Sequence, residues 1–146
     1  MGERHELRCE KCGYGINAML GIGMLYSKEM VFDGETPSLG ELVQDESITD
    51  TVLAKIATGS KVADDYGHYL YSCPDDFYLF NKFYFKVDGI EVAYPCPYGD
   101  ATLKRLIFAK GKAGTTRLQF LDGSGFWHCP KCGNESLNEV SFGNWD

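Results

Sequence analysis

The sequence predicts an α+β fold dominated by strands, with its two ends brought together around a large inserted region. Three observations carry this. A Cys-x-x-Cys pair stands near each end, at Cys9/Cys12 and at Cys129/Cys132. Eleven aromatic or aliphatic side chains crowd the span from Tyr69 to Val87, a composition that suits strands. Helix signals are confined to positions 38–58. One domain is expected over 1–146, with 1–15 and 126–146 as the paired ends and 16–125 as an α+β insert.

Along the chain, positions 5–9 read as a short strand running into the first cysteine pair. The apolar run 16–26 is interrupted by Gly21 and Gly23, which disfavour a helix interior, so it reads as strand or closely packed loop. Pro37 breaks the pattern within 34–40. Ser38 is placed to cap a short helix over 39–44. Ser47 with Asp50 resembles a capping box, opening a helix that ends before Gly59. Ile48, Val52, Leu53 and Ile56 recur in it at helical spacing. After the aromatic stretch, Asp88-Gly89 between two β-type runs signals a hairpin. Strands are expected over 103–109 and 115–121, joined by the Gly-rich 110–114, and over 138–142. Asp122-Gly-Ser-Gly125 forms a turn leading into the last cysteine pair.

The chain has 146 residues, of which 44% are hydrophobic and 24% charged, ordinary values for a folded domain. A chain of this length buries roughly 70% of its unfolded surface, so small size alone does not demand a metal. The formal net charge of -7 repels phosphate backbones and makes nucleic-acid binding an unfavoured reading. One stretch runs the other way. From 101 to 121 there is no acidic residue, while Lys104, Arg105, Lys110, Lys112 and Arg117 are basic. No secretory signal pattern opens the sequence, and the 16–26 run is too short to span a bilayer. A cytoplasmic location is therefore expected, with no membrane association. In that reducing compartment, paired cysteines hold metal more often than they form disulfides.

Two residues between cysteines let a tight turn aim both sulfurs at one ion. Two such turns facing each other make a tetrahedron of four sulfurs, the closed form of structural zinc. Gly13 and Gly133 follow the two pairs where the chain leaves each turn and positive φ is commonly needed. Cys9, Cys12, Cys129 and Cys132 are thus the expected metal ligands, with Zn2+ as the ion and Fe as the alternative. About 116 residues separate the pairs. Closing so long a flexible loop costs about 4–5 kcal/mol of chain entropy. Structural zinc supplies an apparent ~10–16 kcal/mol, enough to offset it. Four sulfurs leave no open position for a substrate, so the site itself implies no catalysis.

The segments Cys9-Glu-Lys-Cys-Gly-Tyr14 and Phe126-Trp-His-Cys-Pro-Lys-Cys-Gly133 resemble the two knuckles of rubredoxin-like zinc ribbons. The resemblance covers about twenty residues and implies a ribbon built from the two chain ends. Rubredoxins hold iron and carry electrons, but their knuckles lie much closer together in sequence. The first knuckle with the apolar stretch after it also resembles uncharacterised small bacterial proteins with cysteine knuckles, which bring no activity with them.

Cys73-Pro-Asp-Asp76 and Cys96-Pro-Tyr-Gly99 look like knuckles without the second sulfur. They read as buried thiols, as a surviving weak site using Asp76 or His68, or as a redox pair. His5 and His128 flank the cysteine pairs and read as surface or satisfied residues. Lys110-Gly-Lys-Ala-Gly-Thr-Thr116 lacks the spacing of a phosphate loop, and no nucleophile elbow or His-Glu-x-x-His is present. Asp64-Asp65 and Asp75-Asp76 read as turn residues, and the aromatic run as core. The favoured reading is a non-enzymatic zinc protein whose insert meets a protein or small-molecule partner. The alternatives are a redox protein using iron or reactive Cys73 and Cys96, and anion or nucleic-acid binding through 104–117.

Overall fold

Alternating burial along the strands and three short helices build a curled seven-stranded sheet with helices on one side, together with a separate two-stranded hairpin. The computed structural model describes residues 2–22, 27–110, 116–133 and 137–145. In chain order these form β1 (Gly2–Cys9), β2 (Gly15–Leu20), α1 (Lys28–Val31), α2 (Ser38–Val43), α3 (Glu46–Ala57), β3 (Gly67–Ser72) and β4 (Leu79–Tyr84). There follow β5 (Lys86–Val87), β6 (Ile90–Glu91), β7 (Lys104–Lys110), β8 (Thr116–Phe120) and β9 (Leu137–Trp145). The expected strand-dominated α+β class holds.

Seven strands form one sheet in the order β2-β1-β9-β8-β7-β3-β4, every neighbour antiparallel. The C-terminal strand therefore lies beside the N-terminal one, which brings the two cysteine pairs to one end of the sheet. Glu6 faces Ser141 and Leu7 faces Glu139, so Val140 is a bulge residue and is exposed. The sheet curls until Gly21, just past β2, meets β3. Gly21 and His68 exchange two backbone hydrogen bonds, of 2.9 and 2.6 Å.

Strand alternation splits the interior in two. Leu70 points into a cluster with Leu7, Ala18, Leu79, Leu106, Leu118, Trp127 and Leu137. The next residue, Tyr71, points to the other face, into a cluster with Val31, Phe32, Leu39, Val43, Phe83 and Phe85 that the helices cover. The aromatic run is thus mostly core, as its composition implies. Asp88 and Gly89 take φ of 53° and 79° between β5 and β6, the two left-handed residues of a type I′ hairpin turn.

Both expected helices form, but their caps differ. Asp45, not Ser47, caps α3: its carboxylate accepts from the Ile48 N–H at 3.0 Å. Gln44 leaves α2 in a left-handed conformation (φ 55°), and the chain re-enters helix immediately, so the cap falls earlier than side-chain spacing implied. Ser38 is the first residue inside α2 rather than its cap, and Pro37 precedes it with no side-chain cap bond. The four-residue α1, capped by Ser27, is too short to leave a periodic signal.

Candidate metal centre

The first knuckle is the loop joining β1 to β2. Cys9 closes β1 and donates its N–H to Tyr14 O at 2.7 Å, while the Gly13 N–H donates back to Cys9 O at 2.9 Å. This cross-strand pair of bonds wraps the turn so that both sulfurs leave on one side. Gly13 supplies the positive φ of 79° that the exit requires. Gly15 meets a different demand: a Cβ there would lie 1.9 Å from Leu7 O across the hairpin. The second knuckle repeats the device, with the Gly133 N–H donating to Cys129 O at 2.8 Å and φ of 74° at Gly133. Cys9 pairs with Leu137, the first residue of β9, so the strand that follows the second knuckle anchors it beside the first.

The four expected residues converge. The sulfurs of Cys9, Cys12, Cys129 and Cys132 all lie within 4.8 Å of one another. Cys9 Sγ is 3.5 Å from Cys132 Sγ, and Cys12 Sγ is 3.4 Å from Cys129 Sγ. A regular tetrahedron with metal–sulfur bonds of about 2.3 Å has edges of about 3.8 Å, within this range. All four are free thiols, and both of these close pairs run between the knuckles. Cys9 and Cys129 are buried, Cys12 is exposed and Cys132 lies between. Burial pushes the Cys129 thiol up to about 12; the Lys131 and Cys132 N–H groups oppose this, and the neighbouring Cys12 and Cys132 thiols add to it. A divalent cation inverts that balance, because it deprotonates the thiols that it binds. The chemistry open to this cluster is therefore cation capture.

The segment from Phe77 to Leu79 braces both knuckles. Trp127, 1% exposed, donates its indole N–H to Phe77 O at 2.6 Å. Tyr14 receives the Leu79 N–H on its hydroxyl at 2.9 Å and packs its ring against Tyr78 and Trp127. Phe77 in the loop between β3 and β4 and Leu79 at the start of β4 thus hold the residue two before one knuckle and the last residue of the other. Spacing alone did not reveal Tyr14 and Trp127 as supports. An aromatic flanking each cysteine pair was the available signal.

The other candidates fall elsewhere. Cys73 and Cys96 are buried in the helix-side cluster. Burial pushes the Cys96 thiol up to about 12, with the hydrogen bond and charge of Cys73 adding, so little thiolate exists there at neutral pH. His68 is held in β3, where burial lowers its pKa. His128 is exposed with its ring 5.7 Å from Phe77, and His5 sits between the Phe108 and Phe142 rings. Asp64 pairs with Lys28 at 2.7 Å, and Asp76 caps its own turn through the Tyr78 N–H.

In the basic segment, Lys104 pairs with Asp122 at 3.0 Å. The Arg105 guanidinium lies 3.6 Å from the Tyr69 ring centre, and that of Arg117 lies 3.4 Å from that of Phe126. Lys112 and the Gly-rich connection around it lie outside the described residues. No described helix is long and apolar enough to cross a membrane. No protein-family model matches the chain, and comparison with curated proteins and with solved structures returns no match.

Proposed function

We propose that this chain is a non-enzymatic zinc-binding protein in which one structural ion joins Cys9, Cys12, Cys129 and Cys132. Positions 1–15 and 126–146 then act as ribbon halves, and 16–125 as the insert that they close. One observation carries the reading: four sulfurs from opposite ends of the chain lie within 4.8 Å of one another. Four thiolate ligands favour a soft or borderline cation and fill a tetrahedral shell, leaving no position for substrate. The ion's part is to hold the chain ends together, so its binding energy becomes folding energy.

Zinc is preferred to iron because the two knuckles lie about 116 residues apart, unlike the closely spaced knuckles of rubredoxins, and a spectrum separates the two metals. Protein dialysed against a weak chelator is expected to be colourless and to keep one zinc per chain. Strong visible thiolate-to-iron absorption, with iron in place of zinc, would support the electron-transfer reading instead.

The insert is the part assigned to a protein or small-molecule partner. Within it, the exposed Phe108 of β7 favours the outer face of that strand as the surface, and the face continues onto the ribbon halves through His5 and the exposed Phe142. Cross-linking of wild type and of a Phe108→Ser/Phe142→Ser chain tests this. Identical cross-linked products from both chains would move the surface elsewhere.

A further inference from the structure

The loop between β3 and β4 repeats the first knuckle. There, the Cys9 N–H donates to the carbonyl five residues on, and the residue four on donates back to Cys9 O. In the β3–β4 loop, the Cys73 N–H donates to Tyr78 O at 3.3 Å and the Phe77 N–H to Cys73 O at 2.8 Å. Gly13 has φ of 79° in the first loop, and Phe77 has φ of 63° at the matching position. A bulky residue in that conformation costs about 1–2 kcal/mol, so the turn geometry is kept against local preference. Asp76 stands where Cys12 stands in the first knuckle.

A facing turn begins at Cys96, whose N–H donates to Ala101 O at 2.8 Å, again five residues on. Cys73 is the thiol that hydrogen-bonds Cys96, and Asp76 acts on Cys96 by charge. Cys73 and Cys96 are 1% and 4% exposed, so both sulfurs are turned inward together. The fourth corner is Gly99, which offers no ligand. Beside it lies an open cleft of about 450 Å³ lined by Asp76, Tyr78, Leu79, Phe80 and Tyr98.

We propose that Cys73, Cys96 and Asp76 form a second site for a thiophilic divalent cation of the zinc or cadmium class, with its fourth coordination position open toward the Asp76–Tyr98 cleft. Three protein ligands and one vacant position is the arrangement that leaves a bound ion accessible to an outside ligand, in contrast to the four-sulfur centre. Binding removes one proton from each thiol, so each M2+ captured releases two H+ and the site goes from a net charge of -1 to -1 with the ion in place. The ligand atoms of these three residues do not all lie within 4.8 Å of one another as they stand, so the Asp76 carboxylate gives up its turn-capping bond to the Tyr78 N–H, 3.0 Å long, and turns to reach the ion. With one ligand fewer, this site holds its ion less tightly than the first and fills after it.

Cadmium titration of the full-length protein tests the site, followed by ultraviolet thiolate-to-cadmium absorption, proton release and metal content after gel filtration. Wild type is expected to take two equivalents. Cys73→Ser and Cys96→Ser are each expected to stop at one, with absorption lower by about one third, because two of six thiolates no longer contribute. Cys132→Ser reports on the four-sulfur centre separately. Asp76→Asn is expected to weaken the second step at least tenfold while leaving the first unchanged. Wild type saturating at one equivalent, or Cys73→Ser still taking two, would overturn the site. An unchanged second step in Asp76→Asn would overturn the carboxylate's place in it.

Discussion

The side-chain amide of Asn81 on β4 makes two 2.8 Å hydrogen bonds to the backbone of Met19 on β2, accepting from its N–H and donating to its C=O. It thereby imitates a strand neighbour. Met19 is paired with Arg4 on its other side, so its outward backbone groups would otherwise meet no partner from β1. The same amide also donates to Tyr69 O at 3.1 Å, locking β2, β3 and β4 together where the sheet curls on itself.

Asn81→Leu keeps the size of the side chain and removes all three bonds. A loss of about 2–3 kcal/mol is expected from partly buried backbone groups left without partners. Urea unfolding of the two chains measures it. A loss below about 0.5 kcal/mol would mean that water replaces the amide and that the closure does not depend on Asn81.

Trp127 and Tyr14 tie the knuckles to the β3–β4 loop. Trp127→Phe leaves Phe77 O without its 2.6 Å donor and is expected to cost about 1–3 kcal/mol, with a further cavity term. Tyr14→Phe removes the acceptor for the Leu79 N–H and is expected to cost about 1 kcal/mol. Because both act through positioning, zinc release to a chelator is expected to quicken in each. Unchanged release rates would confine the two residues to the core.

Loss of one ligand is expected to act on metal and fold together. Cys9→Ser or Cys132→Ser lowers zinc content and thermal stability in parallel, while Cys73→Ser leaves the tightly held ion in place. Acid acts in the same direction, because protons compete with the cation for thiolates. Zinc content and melting temperature, measured on the same samples, check the link. A Cys9→Ser chain with full zinc would remove Cys9 from the ligand set.

Glycine substitutions separate strain from collision. A Cβ at Gly13 meets nothing within 4 Å, so Gly13→Ala is charged only for its left-handed backbone, about 1–2 kcal/mol. Gly15→Ala drives a Cβ to 1.9 Å from Leu7 O and must open the hairpin. It is expected to be the more damaging of the two by denaturant unfolding; the reverse order would contradict the register of β1 with β2.

Alkali is expected to destabilise the fold through its buried phenols. Burial holds Tyr71 and Tyr94 well above the usual tyrosine value, and the Tyr94 hydroxyl donates to Phe83 O at 2.6 Å. Above pH of about 10 the unfolded chain loses these protons while the folded chain keeps them. The native state then binds more protons, and stability falls as pH rises, by up to about 1.4 kcal/mol per pH unit for each phenol. Urea midpoints compared at neutral and alkaline pH, with phenolate absorbance followed alongside, test the sign. A midpoint that does not move would show these two phenols titrating normally.

Much of this protein was written locally. Cysteine spacing identified the four converging sulfurs, because two intervening residues define a turn whatever lies between the pairs. Asp88-Gly89 announced its hairpin, since few other residues accept two consecutive left-handed positions. Ile48, Val52, Leu53 and Ile56 announced α3. The cap at Asp45, the Val140 bulge and the Asn81–Met19 clasp were decided only by the tertiary structure. Each depends on where a distant or preceding segment delivers the backbone, and no periodicity records that. The same holds for Phe77: its left-handed conformation is opposed by its own side chain and is sustained by Trp127, fifty positions away in sequence.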